Sequence, residues 1–157
     1  MKEIINKVFP KTIDNNYKGF KIALYVFYIL TVVTLWRSQH HLFAADGGAQ
    51  SIASIPLDTF TNNGEMAVIG IFSLWGLSQL IIGFIYLATA LRYKSLIPFM
   101  YLLMFFEYLM RGFYIGNFKP IPTVDTALGA ILNIILVIAV PILFILSVVQ
   151  TNKKDSE

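Results

Sequence analysis

The chain has no cysteine. That absence excludes thiolate catalysis, iron–sulfur clusters, cysteine-ligated zinc and a disulfide-stapled scaffold. Charge is scarce too: Asp, Glu, Lys and Arg make up 13% of the 157 residues, about half the share of an ordinary soluble domain. There is no internal repeat and no low-complexity tract. What is present is apolar, at 57% of the residues. One bilayer crossing takes about 20 mostly apolar residues, so four would absorb about 80, close to the whole apolar stock. A water-soluble domain and a disordered chain are both excluded as leading readings.

The net charge is +3, and the basic residues stand at the ends of apolar runs. Nucleic-acid binding shows instead as a basic stripe with interleaved aromatics on a soluble face. The pattern here belongs to membrane topology, and no nucleic-acid partner is expected.

Four runs follow. Lys21 and Arg37 bracket 15 uncharged residues, Ile22 to Trp36. That is roughly 22 Å of helix, short of a core of about 30 Å. Both flanking side chains can snorkel, and the helix can continue through Ser38-Gln39-His40-His41. A cleaved signal peptide is the competing reading. The 21-residue basic lead-in is long for one, and Phe43-Ala44-Ala45 puts a bulky residue where a small one is wanted, so the run reads as a membrane helix. Glu65 and Arg92 bracket 26 uncharged residues, ample for a tilted span. The third run, Ser95 to Phe118, has Pro98 near its start, where a missing N–H costs little, and is broken only by Glu107 and Arg111. The fourth, Thr126 to Asn152, contains Pro141, which predicts a kink with the carbonyl of Val137 released.

The expected fold is an all-α integral membrane protein: one domain over residues 1–157, a four-transmembrane-helix antiparallel bundle with helices at about 20–41, 66–91, 95–117 and 126–150. Lys2, Lys7, Lys11, Lys18, Lys21, Arg92, Lys94, Lys153 and Lys154 fall on one side, against Arg37 and Lys119 on the other. That bias puts both termini in the cytoplasm. The Arg92-Tyr93-Lys94 turn predicts a tight antiparallel hairpin of the second and third helices. The loop after the third helix, Asn117 to Asp125, carries Pro120 and Pro122 and reads as stiff.

The outer loop, about 42–64, opens with the turn signal Asp46-Gly47-Gly48. Its uncharged stretch Ala49 to Leu57 suits either a re-entrant or interfacial cap or an ordinary loop, and a re-entrant backbone needs protein or a water cavity around it. In the lead-in, Ile4, Ile5, Val8 and Phe9 alternate with lysines, which suits the surface of an anionic leaflet.

The sharpest chemical signal is Glu107 and Arg111, four apart and so on one helix face. A lone charge at membrane depth costs several kcal/mol, so the pair is expected to face the bundle interior or a cavity. Gln79 lies near mid-depth of the second helix, in a stripe with Ser73, Gly76, Leu80 and Gly83; small residues along one face admit a neighbouring backbone. Asn133, with Gly129 and Ala130, lies at a depth where a hydrogen bond to Arg111 or Glu107 is geometrically open. Arg37, His40, His41 and Asp46 stand at the outer mouth, with Glu65 nearby in the chain. Two readings follow. Either a polar cavity opens outward and is floored near Glu107, with Glu107 accepting a proton or Arg111 holding an anionic head group, or the ion pair is self-contained and Gln79 and Asn133 are interhelical glue.

Other chemistries are weaker. Adjacent histidines point about 100° apart, so His40 and His41 are not the usual metal-binding face, and no metal site is expected. Trp36, Trp75 and the eight tyrosines read as packing and interface anchors. No haem box, phosphate loop or nucleophile elbow stands out, and no cofactor is expected.

Trp75-Gly76 in the second helix, Leu91-Arg92-Tyr93 at its end, Glu107 and Arg111 in the third, and Lys119-Pro120 beyond it give an order of features over about half the chain. That order resembles the small four-helix bacterial inner-membrane proteins that are DoxX-like in the broad sense. The resemblance implies a bacterial inner membrane, and the Ile, Lys and Asn usage suits an AT-rich bacterium. DoxX-like proteins are linked to membrane redox complexes, but no quinone or thiol signature here carries that role over.

The expected function is of binding or accessory type, either a small subunit or a module holding a lipid-like or small lipophilic ligand. Membrane lipids are the expected partners, with a second copy or a larger membrane complex open. The alternative is a small membrane enzyme or a proton-coupled carrier using Glu107 and Arg111. A carrier of this size would need to oligomerise to alternate its access. A cavity of several hundred Å³ reaching Glu107 favours ligand handling; a dry, fully paired Glu107–Arg111 favours a scaffold.

Overall fold

A computed structural model describes residues 2–149. Lys153 and Lys154, counted above on the basic side, lie outside them, as does the far end of the fourth expected helix. The described chain is all helical, with no strand among these residues. Helix α1 is Lys2–Val8, α2 is Lys21–Phe43 and α3 is Asn62–Arg92. Helix α4, Ile97–Leu109, runs into a π-helical segment, Met110–Ile115, and then α5, Gly116–Phe118. Helix α6 is Leu128–Val148 and stays helical across Pro141. Four helical stretches are long and apolar enough to cross a membrane: α2, α3, the stretch Lys94–Phe118, and α6 over Gly129–Val148.

Local chemistry sets the ends. Helix α3 starts at Asn62, earlier than the charge-free run suggests, because the Thr61 side chain accepts the Gly64 amide at 3.3 Å. At 31 residues it is roughly 46 Å long, well beyond a bilayer core. Pro98 sits in the first turn of α4, where its missing N–H costs no helical bond.

The helices pair as α2 with α3 and α4 with α6, while α3 and α4 touch little. The hairpin expected of the second and third spans is therefore corrected: the short turn joins them, but their main contacts lie elsewhere. The reason is the small-residue stripe. Gly76 and Gly83 press on α2, where an added Cβ would come within 2.8 Å of His41 Cβ and of Leu35 Cδ2 respectively. The facing stripe of α2 is Ala23, Phe27, Thr31, Thr34, Ser38 and His41, all buried. Its hydroxyls are satisfied within the helix: Thr31 donates to the Phe27 carbonyl at 2.8 Å and Ser38 to that of Thr34 at 2.5 Å.

The main core joins the two pairs around Phe27, Tyr86, Ile97, Met100, Tyr101, Met104, Val140 and Leu143. Tyr101 bridges α4 to α2, its hydroxyl donating to the Ala23 carbonyl at 2.6 Å, and Phe27 meets Tyr86 and Tyr101 edge-on at 5.8 Å. This core lies toward the end where the N-terminal segment, the α3–α4 turn and the end of α6 meet. There the Phe20 amide donates to the Leu146 carbonyl at 3.0 Å, and Asp14 and Ser95 exchange hydrogen bonds. At the other end, Ala49, Ile55 and Leu57 of the α2–α3 loop form a second small core against Val68, Ile69 and Phe72. Between Leu109 and Leu132, by contrast, no described side chain is buried. The least buried part of the described chain is thus the π-helical segment, the loop after it and the first turn of α6.

Candidate polar site between the helix pairs

Glu107 and Arg111 form the expected ion pair, with side chains 27% and 25% exposed, so the pair sits at an opening and not in a sealed core. Arg111 is on the π-helical segment and reaches Trp75 of α3. Its guanidinium carbon is 5.2 Å from the centre of the Trp75 ring and 5.7 Å from that of Tyr108.

Arg37, expected at the mouth, joins the same cluster. Its guanidinium carbon lies 5.5 Å from the same Trp75 ring, and its Nη2 donates to Gln79 Oε1 at 3.5 Å. Its Nε is buried without a hydrogen-bond partner. Gln79, 7% exposed, thus serves Arg37. The cluster holds two guanidiniums on one indole, against one carboxylate that is already taken by Arg111. In a low-dielectric setting that leaves one cation without a counter-charge.

Asn133 is 5% exposed and meets the third helical stretch from α6 at Tyr108 and Gly112. It does not bond Arg111 or Glu107: its Nδ2 donates to the Tyr108 carbonyl at 3.3 Å, and its Oδ1 has no partner. The cause is Gly112, where an added Cβ would lie 2.5 Å from Asn133 Nδ2. The missing side chain lets Asn133 reach the backbone of α4.

The other mouth residues separate. His41, 2% exposed, packs its ring 4.7 Å from Trp75 and bonds the Gly47 carbonyl through Nδ1 at 2.8 Å. His40 turns away and stacks on Trp36 at 6.2 Å, so the two rings do not converge. Among the described residues no group of three or more His, Asp or Glu could hold a metal. Asp46 does not reach the cluster; it organises the loop. Its Oδ1 accepts the Gly48 amide at 2.9 Å and its Oδ2 the amides of Gln50 and Ser51 at 3.2 and 2.7 Å. Burial alone would raise the Asp46 carboxyl, but these amides outweigh it and hold it down at about 2. Gly47 and Gly48 have φ of 59° and 71°, a left-handed turn that brings the loop onto His41. The loop is thus a folded cap of turns and one 3₁₀ turn, Leu57–Thr59, with no re-entrant helix.

Two hollows, of about 110 and 370 Å³, lie elsewhere, and neither is lined by Glu107 or Arg111; the cavity that would favour ligand handling at that pair is not among them, and Glu107 and Arg111 are matched within themselves, so a ligand reading has to rest on Arg37. Sequence reasoning missed Trp75 as the shared platform and the π-helical segment. A signal for the first was present: Trp75 and Gln79 are four apart, on one helix face. No known family profile, curated protein or solved structure matches the chain.

Proposed function

We propose that this is a multi-pass bacterial inner-membrane protein of binding or accessory type, an antiparallel four-helix bundle with both termini cytoplasmic. Its polar cluster holds the anionic head of a lipid-like ligand whose apolar part lies along the exposed apolar side chains of the π-helical segment and the start of α6, Phe113, Ile115 and Ile131 among them. The kinship to DoxX-like proteins belongs to this proposal and rests on the motifs quoted above. The observation that carries the ligand reading is Arg37: a guanidinium beside Arg111 on Trp75, with a buried, unpartnered Nε and no carboxylate of its own among the described residues. A carboxylate or phosphate supplies the missing acceptors and the missing charge. The enzyme or carrier alternative has less support, because Glu107 is engaged by Arg111 and is no free base.

The test uses the two tryptophans. Trp36→Phe leaves Trp75 as the sole tryptophan, excited apart from the tyrosines at the red edge of the absorption band. Titrating the detergent-solubilised protein with oleate is expected to change Trp75 emission saturably, oleyl alcohol far less, and Arg37→Gln is expected to weaken oleate at least tenfold. Equal responses to oleate and oleyl alcohol, or an unchanged response in Arg37→Gln, overturn the reading.

A further inference from the structure

Two hollows lie at the end where the N-terminal segment meets the α3–α4 turn. The first, about 110 Å³, is lined by Lys7, Lys18, Lys94, Asp14, Tyr17 and Ser95, among others. The second, about 370 Å³, runs between α2 and α3 along Tyr28, Val32, Leu87, Ala90 and Leu91. Lys94 lines both. Thr31 in the second hollow already donates to the Phe27 carbonyl, so that groove, Tyr28 and Lys94 apart, presents an apolar surface.

The walls of the first hollow are held in place. Asp14 receives the Asn16 amide on Oδ1 at 2.9 Å and is tied to Ser95 through its own amide and carbonyl. The Tyr17 hydroxyl donates to the Phe20 carbonyl at 3.2 Å. Helix α1 is docked, with Val8 4% exposed and Phe9 5.2 Å from Phe99. Lys7 is matched by Glu3 at 2.9 Å. Lys18 and Lys94 have no carboxylate within ion-pair distance among the described residues. A small chamber lined by Lys18 and Lys94, whose two ammoniums outnumber the one carboxylate of Asp14, therefore opens beside a larger apolar groove, with one lysine common to both.

We propose that the two hollows form one site for a phosphate-headed amphiphile, an anionic phospholipid, with its phosphate between Lys18 and Lys94 and one acyl chain along the α2–α3 groove. The chamber volume is about that of three or four waters, which suits a phosphate group and not a large sugar head. An ammonium is a point charge that suits phosphate. The site shares no residue with the Arg37–Arg111 cluster, so it stands or falls independently of the function proposed above.

The test is native mass spectrometry of the full chain in mild detergent, with dioleoyl phosphatidic acid, dioleoyl phosphatidylcholine or inorganic phosphate added. One phosphatidic acid per chain is expected to stay bound in preference to phosphatidylcholine, and millimolar inorganic phosphate is expected not to displace it. Lys18→Gln with Lys94→Gln should weaken retention at least tenfold, whereas Lys94→Arg and Lys119→Gln should leave it. Val32→Trp, which fills the groove from an exposed position, should weaken it several-fold. Equal retention of both lipids, or full retention by the double lysine variant, overturns the site. Displacement by phosphate alone, or indifference to Val32→Trp, overturns the acyl-chain half and leaves a simple phosphate site in its place. Circular dichroism of each variant checks that helix content is kept. If the double variant loses it, Lys94→Gln alone decides by the same comparison.

Discussion

The guanidinium carbon of Arg37 lies 5.5 Å from the centre of the Trp75 ring, on the indole that Arg111 approaches to 5.2 Å. Two cations from different helices thus share one aromatic partner. Each cation–π contact is worth roughly 0.5–2 kcal/mol, more where water is excluded. Trp75→Leu removes both contacts together with the packing of His41. It is expected to lower the thermal midpoint in detergent clearly, while Trp36→Leu, at a position 59% exposed, barely moves it. Equal shifts for the two variants would show that the shared ring contributes no more than its area.

Glu107→Gln leaves Arg111 without its carboxylate. The loss should fall short of the roughly 3–5 kcal/mol seen for fully buried pairs, because both side chains are about a quarter exposed. Combining it with Arg111→Met removes the orphaned charge and should recover most of the loss. Denaturant unfolding of the single and double variants measures it; a double variant weaker than the single would mean that Arg111 stabilises through Trp75 and Tyr108 more than through Glu107.

Gly112 and Gly129 make a contrasting pair. A Cβ at Gly112 would meet Asn133 Nδ2 at 2.5 Å, whereas one at Gly129 meets nothing within 4 Å. Gly112→Ala is therefore expected to cost about 1 kcal/mol by displacing the Asn133–Tyr108 hydrogen bond. Gly129→Ala should gain up to about 1 kcal/mol from helix propensity. Asn133→Ala should abolish the penalty at Gly112, which a double-variant cycle reads directly.

Asp46 makes the α2–α3 loop acid-sensitive. Its folded value of about 2 lies below the ordinary 3.8, so its contribution is fully present above about pH 4 and is lost as pH falls toward 2. Hydrogen-exchange protection factors over residues 44–60, with the intrinsic pH dependence of exchange divided out, should fall across that window in the native protein. Asp46→Asn should exchange faster at neutral pH and show no such acid transition.

The far half of the chain shows where sequence reading ran out. Glu107 and Arg111 could be paired on paper because four residues bring side chains to one helix face. Nothing in the local pattern marks the π-helical segment that follows, since Met110 to Ile115 reads as ordinary apolar helix. Nor does the spacing of Arg37 show which neighbour it meets, because that depends on α2 packing against α3 across the two glycines.

Composition and the placing of a few charges alone dictated four long apolar helices, since a charge-free run of that length satisfies its own backbone in lipid only as a helix. Helix pairing, the turning of Arg37 onto Trp75 and the folding of the Asp46 loop over His41 were decided only in three dimensions. Helical period assigns a residue to a face, but which surface that face meets depends on how closely two backbones can approach, and that is a property of the pair.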